Sequence, residues 1–205
     1  MTTGIEPLIT VADLDNYPDD GNRYELIGGR IFVSGAPDIS HQLILRDVLF
    51  EIAIYLKERP IGRVVPGVGT ILSNYDLVIP DIAFVRSERW NEIASGEWLA
   101  GAPDLIVEVL SLGVENRERD LQIKRQLYAK YGVMEYWVID CEDKSVLVFR
   151  LRGEMLEKMA TVRGKDKITT YVLPSFDLEV SAIFRSTSVS RYKISLQILT
   201  EKGKD

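Results

Sequence analysis

The pattern of apolar and polar positions predicts one short and two long helices. In His41–Lys57 apolar residues recur at the three- and four-residue spacing of an amphipathic helix, with Ser40 as its N-cap. Arg117–Tyr131 has the same spacing and ends before Gly132, a residue type suited to the position after a helix. Near the N-terminus, Val11–Tyr17 is predicted to be a short helix.

The other apolar runs are too short for helices and predict strands. Two of them flank Gly28-Gly29 and predict a tight hairpin, because both glycines can adopt positive φ. Asp104–Leu110 is nearly all apolar, as in a central strand buried on both faces. Ser87–Gly101 is predicted to be a polar loop. The predicted strands are Arg23–Ile27, Arg30–Ser34, Gly62–Leu72, Leu77–Arg86, Asp104–Leu110, Met134–Asp140, Lys144–Leu151 and a pair, Met155–Val162 with Lys167–Val172. This order predicts an α/β or α+β fold with a mixed sheet flanked by helices.

Composition indicates a soluble globular protein, with 46% apolar and 27% charged residues. Its 205 residues suit one domain, predicted over 1–185, followed by a tail at 186–205. A single cysteine, Cys141, excludes a disulfide framework and suits a reducing compartment. The chain shows neither a signal peptide nor an apolar run of membrane-spanning length, so we expect a cytoplasmic protein that does not contact a membrane. The net charge of −6 argues mildly against a dedicated nucleic-acid binder.

Two acidic residues stand inside apolar strands, where a bare charge is costly. Asp81 follows Pro80, and on its own it is most simply a turn residue at the start of a strand. Glu108 is the one charged residue between Leu105 and Leu110, and strand alternation places it on the face of Ile106 and Leu110. A structural ion pair and metal binding are equally reasonable explanations of Glu108 taken alone.

Lys124 lies within the apolar arc of its predicted helix, between two tyrosines, when residues advance by about 100° each. An inward lysine should meet a carboxylate or a phosphate, although its stem could instead extend past the tyrosines to solvent. Glu25 alternates with Tyr24 and Leu26 and is by itself an ordinary exposed strand residue. His41, the one histidine, follows the predicted cap and is explained by polarity at a helix start.

Two strand carboxylates and an inward lysine together are the minimal set for Mg²⁺-dependent phosphodiester hydrolysis. Hard oxygen ligands suit Mg²⁺, and a lysine can orient the attacking water or offset developing charge. Gly67-Val68-Gly69 matches no nucleotide-binding fingerprint, so a kinase or dehydrogenase is not indicated.

The order of several short motifs resembles the Uma2 family of the PD-(D/E)XK nuclease superfamily, from about Thr10 to Phe184. The residues that carry the resemblance are Tyr24-Glu25-Leu26-Ile27, His41-Gln42, Pro80-Asp81, Gly101-Ala102-Pro103-Asp104-Leu105, Glu108-Val109-Leu110-Ser111, Asp120 with Lys124 and Tyr128, and Gly132-Val133 with Glu135-Tyr136-Trp137. The resemblance implies a restriction-endonuclease-like core with an N-terminal helix and a β-hairpin.

The resemblance also implies roles for individual residues. Asp81 and Glu108 match the two acidic positions, and the main-chain carbonyl of Val109 would be a further metal ligand. The usual lysine position holds Leu110 here, so the base is expected at Lys124 on the following helix. Glu25 matches an early glutamate of the family and is expected to approach the metal site.

We therefore expect a Mg²⁺- or Mn²⁺-dependent endonuclease acting on DNA, with Asp81, Glu108, Lys124 and Glu25 as its catalytic residues. A homodimer is expected if both strands are cut, because two-fold symmetry matches two strands. The alternatives are a non-catalytic nucleic-acid or partner-binding module on the same fold, and a structural ion-pair network around Lys124.

Overall fold

The structure, a computed structural model, describes residues 8–110 and 117–185. The predicted tail at 186–205 and the stretch that follows Leu110 lie outside the described residues. Within these ranges the helices are a 3₁₀ helix (Val11–Asn16), α1 (Ile39–Glu58), α2 (Ser87–Ile93), a π-helical segment (Arg119–Lys124) continuing into α3 (Arg125–Lys130), and α4 (Val180–Ile183). The strands are β1 (Arg23–Ile27), β2 (Arg30–Ser34), β3 (Gly62–Pro66), β4 (Thr70–Ser73), β5 (Asp76–Val78), β6 (Ile82–Arg86), β7 (Ala94–Ser95), β8 (Trp98–Leu99), β9 (Leu105–Val109), β10 (Glu135–Asp140), β11 (Ser145–Arg152), β12 (Met155–Arg163), β13 (Lys167–Ile168) and β14 (Leu178–Glu179).

The strands of the described residues form two six-stranded mixed sheets and a two-stranded one, which confirms the predicted class, a mixed-sheet fold flanked by helices. The first sheet has the order β2-β1-β5-β4-β8-β7, and the second has the order β12-β11-β10-β9-β6-β3. In the second sheet β9 and β10 are parallel, whereas the other pairs are antiparallel. The strand β9 is therefore central, as its apolar run predicted.

The two faces of the second sheet bury different partners. Leu105, Val107 and Val109 of β9 pack in the cluster that contains α1. Ile106 and Leu110 pack in the cluster that contains Leu127 and Tyr128 of α3. Because strand side chains alternate, Glu108 projects toward the face covered by α3 and the π-helical segment.

Several local predictions are confirmed. The hairpin turns at Gly28 and Gly29 with φ of 57° and 72°, the positive values that favour glycine. The strand pair β10 and β11 and the short helix after Thr10 also form as expected. The first long helix begins slightly earlier than predicted, with Asp38 rather than Ser40 as the cap, because the Asp38 carboxylate accepts the His41 N–H.

Three predictions of secondary structure were wrong. The predicted loop Ser87–Gly101 contains α2 and the small hairpin of β7 and β8. The run Gly62–Leu72 is divided between two sheets, because the chain leaves the second sheet at Gly67 and joins the first. The run Leu77–Arg86 is divided as well, because the chain leaves the first sheet at Pro80 and joins the second. The expected pairing of Met155–Val162 with the next strand is absent: β12 pairs with β11, and β13 pairs with β14.

The long helix α1 is amphipathic and covers the second sheet. Its buried side chains include Ile44, Val48, Ile52 and Tyr55, all at helical spacing. No helix in the described ranges is long and apolar enough to cross a membrane.

Candidate active site

The candidate site lies where the chain crosses from the first sheet to the second. Between β5 and β6 the segment Ile79-Pro80-Asp81 connects the two sheets. Ile82 pairs with Val107 in antiparallel register, so the next residues of that register, Asp81 and Glu108, face each other. The Val109 N–H donates to Asp81 Oδ2 at 2.8 Å, which fixes the Asp81 carboxylate at the end of β9.

Asp81 is buried and held in its charged form by three donors. Besides Val109 N–H, His41 Nε2 lies 3.0 Å from Oδ2, and Arg23 Nη1 lies 3.3 Å from Oδ1. Burial alone would raise the pKa of Asp81, but the hydrogen bond and charge of His41, with the Val109 N–H, outweigh it and lower the pKa. Asp81 is therefore an anion at neutral pH.

Glu108 has the opposite electrostatic environment. Its Oε1 accepts from Lys124 Nζ at 2.9 Å and from the Tyr128 hydroxyl at 2.7 Å. Burial raises its pKa well above the usual range; the charge of Lys124 opposes this, while Asp81 and other nearby carboxylates add to it. The two acids that face each other therefore differ in how readily each gives up its proton.

Lys124 is 2% exposed, and its ammonium lies among three carboxylates. Nζ is 2.9 Å from Glu25 Oε1, 2.9 Å from Glu108 Oε1 and 3.9 Å from Asp120 Oδ1. Although burial lowers the pKa of an amine, these carboxylates raise it above its ordinary value, so Lys124 keeps its proton. The inward orientation predicted from helical spacing is confirmed, even though this segment is π-helical rather than α-helical.

Glu25 is not the exposed strand residue that its alternation indicated. It is 3% exposed, and its Oε1 accepts both Lys124 Nζ and the Ile79 N–H, the latter at 2.8 Å. It thus links β1 to the crossing segment and to the buried ammonium. The resemblance implied that Glu25 approaches the other proposed site residues, and the structure places it beside Lys124, whereas the local pattern indicated an exposed residue.

Two residues of the site were missed from the sequence. His41 is 4% exposed and contacts Asp81, so polarity at a helix start does not explain it. It precedes Ile44 and Val48 by three and seven residues, and this spacing could have placed it on the buried face of α1. Asp120 is 2% exposed, and about 100° per residue places it in the same apolar arc as Lys124.

These residues line one small cleft of about 30 Å³ that opens to solvent. Its lining comprises Arg23, Glu25, Ser34, Gly35, Pro37, His41, Ile79, Asp81, Glu108, Val109, Arg119, Asp120 and Lys124. All four predicted catalytic side chains therefore come together from β1, the crossing segment, β9 and the π-helical segment. The Nδ1 atom of His41 is also buried here and has no hydrogen-bond partner among the described residues.

The donor chemistry of the cleft fits a hard cation held by few protein ligands. Among residues 8–110 and 117–185 no group of three or more His, Cys, Asp or Glu side chains forms a ready-made metal site. A carboxylate oxygen can accept about two hydrogen bonds, and Asp81 Oδ1 accepts just one from the described part of the chain. Glu108 Oε2 accepts none from these residues, so both acids keep an oxygen for a cation that retains most of its water, as Mg²⁺ does.

The fold is shared with a solved structure of the nuclease type. A crystal structure of "a putative nuclease belonging to DUF820 from Anabaena variabilis ATCC 29413" is similar with a TM-score of 0.69 and 20% sequence identity. The similarity covers 86% of this chain and 97% of that chain. At this identity the likeness establishes the fold.

The chain belongs to the Uma2 family. The sequence model of that family, described as "Putative restriction endonuclease", matches residues 11–181, which include the whole candidate site. The resemblance inferred from the short motifs is thus confirmed. No match was found among the curated proteins.

Proposed function

We propose that the chain is a Mg²⁺-dependent endonuclease, also served by Mn²⁺, that hydrolyses phosphodiester bonds of DNA. One observation carries the proposal: the Lys124 ammonium lies 2.9 Å from Glu108 in a cleft that also holds Asp81, at the ends of neighbouring strands. Buried charges that serve stability alone have no need of a solvent-open cleft. Family membership supports the same reaction class.

Asp81, Glu108 and the main-chain carbonyl of Val109 are the proposed ligands of the cation. When bound, the cation would polarise the phosphoryl group and lower the pKa of a coordinated water. Asp81 is ready for this role because the contacts that lower its pKa keep it ionised. Burial raises the pKa of Glu108, so this acid would have to release its proton to bind the cation, and the adjacent ammonium favours the ionised form.

Lys124 orients the attacking water or offsets the negative charge that develops in the transition state. Its proton stays on Nζ, so in this arrangement it acts as a fixed positive charge and hydrogen-bond donor. Glu25 serves as a positioning residue, because it holds Nζ through a carboxylate that is itself fixed by the Ile79 N–H. Cleavage of both DNA strands would be served by a homodimer.

The experiment is cleavage of supercoiled and branched DNA with Mg²⁺ or Mn²⁺ by the wild type, Asp81→Asn and Lys124→Met. Asp76→Asn is the matched control, since Asp76 is a buried carboxylate outside the cleft. We expect metal-dependent cutting that is lost in the first two variants and kept in the control. Lys124→Met removes the counter-ion of buried carboxylates and can unfold the chain, so a thermal melt accompanies each assay.

Two outcomes contradict the proposal. Absence of cutting by the wild type on every substrate would favour a binding module on a nuclease fold, a reading to which the net charge of −6 lends some support. Cutting that survives Asp81→Asn would separate activity from this cleft. A structural network alone would show stability loss in Lys124→Met together with an inactive wild type.

A further inference from the structure

The cleft contains two arginines that the reaction proposed above leaves without a role. Arg23 stands at the start of β1, and Arg119 begins the π-helical segment that also carries Lys124. Their side chains are 33% and 11% exposed, and both line the cleft. They therefore border the same space as the paired acids.

Charge within the cleft makes such residues necessary for an anionic substrate. Four carboxylates (Glu25, Asp81, Glu108 and Asp120) line it against three permanent bases. A phosphodiester entering this space is repelled by the acids unless donors on the walls hold it. Lys124 is a poor candidate for that contact, because its ammonium is already surrounded by carboxylates.

Both arginines keep unused donors. A guanidinium carries five N–H bonds in a planar fork. Arg119 uses Nε toward Asp120 Oδ1 at 3.1 Å, and Arg23 uses Nη1 toward Asp81 Oδ1 at 3.3 Å. The remaining donors of each make no hydrogen bond to the described residues. No nitrogen of Arg119 or Arg23 is both buried and without a partner.

We infer that Arg119 and Arg23 form a phosphate-binding pair that positions the nucleic-acid backbone over Asp81 and Glu108. One carboxylate contact orients each guanidinium, and the N–H groups of its free edge donate two hydrogen bonds to phosphate oxygens in the bidentate manner of arginine. Arg23, whose Nη1 contacts Asp81, binds the phosphate nearest the paired acids. Arg119, whose Nε contacts Asp120, binds a neighbouring phosphate. The inference rests on the proposed function, because it takes a phosphodiester as the ligand.

The test is the salt dependence of binding to a fluorescein-labelled DNA duplex, measured by anisotropy with EDTA and again with Ca²⁺. Neutralising one phosphate contributes a slope of about 0.9 in the plot of log affinity against log salt concentration. Arg119→Gln and Arg23→Gln should each reduce the slope by about one and weaken binding about tenfold. Arg119→Lys should keep the slope but bind more weakly, because the charge remains and the fork is lost.

Arg152→Gln is the matched control, because Arg152 is exposed at the end of β11, outside the cleft, and its loss changes the net charge equally. It should leave the slope unchanged. If Arg119→Gln were unfolded in circular dichroism, Arg23→Gln would decide the matter alone. Duplex binding with unchanged slopes in both glutamine variants would overturn the pair and leave the nuclease proposal standing. A wild type that binds no duplex in either buffer would overturn both.

Discussion

Two buried carboxylates, Asp76 and Glu108, have opposite electrostatic properties. Asp76, in β5, is 2% exposed and receives the Gly28 N–H and the hydroxyls of Ser73 and Tyr131 at 2.6–2.8 Å. Burial would raise its pKa, but these hydrogen bonds outweigh it and lower the pKa. Both of its oxygens accept protein donors, so Asp76 is a structural joint between two turns and the end of α3.

Glu108 is as well buried, yet its contacts are incomplete. Both of its donors converge on Oε1, and like charges from Asp81, Asp120 and Glu25 help to raise its pKa. It also faces a cleft, which Asp76 does not. The comparison shows that burial of a carboxylate does not by itself indicate chemistry. The distinguishing features are an oxygen left for a ligand and access from solvent.

The substitution Glu108→Gln should distinguish the roles of Glu108 and Asp76 most strongly. The amide keeps the shape and removes the charge needed for a cation, so the cleavage rate should fall about 10³-fold or more. Stability should change by no more than about 1 kcal/mol, because Lys124 keeps Glu25 and Asp120 as partners. Single-turnover cleavage and urea unfolding on the same preparation measure both quantities. Full activity in this variant would remove Glu108 from the site.

Asp76→Asn should give the reverse pattern. The amide nitrogen cannot accept a hydrogen bond, so at least one of the donors on Gly28, Ser73 and Tyr131 is left unpaired, at a cost of about 1–3 kcal/mol in the free energy of unfolding. Cleavage by the folded variant should stay within about threefold of the wild type. Chemical denaturation gives the first quantity and initial cleavage rates give the second. A large loss of activity without a loss of stability would make Asp76 part of the active site.

The sequence predicted the site better where local spacing decides orientation. The period of a strand placed Glu108 on the face of Ile106 and Leu110, and helical spacing placed Lys124 inward; the structure confirms both. For Glu25 the prediction from local spacing failed, because alternation distinguishes the two faces of a strand but does not reveal what covers the outer face. Its cover, Lys124 and Ile79, comes from distant parts of the chain.

The errors in the fold have the same origin. Nothing local distinguishes one extended run from two strands in different sheets, so the breaks at Gly67 and Pro80 were not foreseen. The segment Ser87–Gly101 is mostly polar because α2 and the β7–β8 hairpin each bury a single apolar face. Ile93 and Leu99 are the buried residues of these faces. The crossing that brings Asp81 opposite Glu108 therefore depends on the topology of the whole fold and cannot be recognised from local sequence.

His41 extends the comparison to a residue that orients Asp81 without being a proposed ligand of the cation. His41→Ala removes the Nε2 donor at 3.0 Å from Asp81 Oδ2. Loss of a residue that orients a metal ligand commonly costs 10- to 100-fold, and we expect a reduction of about 30-fold in cleavage. The apparent affinity for Mn²⁺ should fall in parallel, whereas a purely structural histidine would lower the melting temperature and leave that affinity unchanged. His41→Gln, whose amide can still donate, should recover part of the loss.

The smallest expected effect is the pH dependence of the stabilisation that Asp76 contributes to the fold. Because the folded state lowers the pKa of Asp76, its stabilisation is present above the unfolded value of about 3.9 and is lost as the pH falls through the folded pKa. Asp76→Asn has no carboxyl to titrate there. The difference in unfolding free energy between wild type and variant should therefore stay constant from about pH 7 to about pH 5 and narrow below about pH 4. Urea titrations across that range measure it. A constant difference down to about pH 3 would show that hydrogen-bond geometry, rather than the charge of Asp76, stabilises this joint.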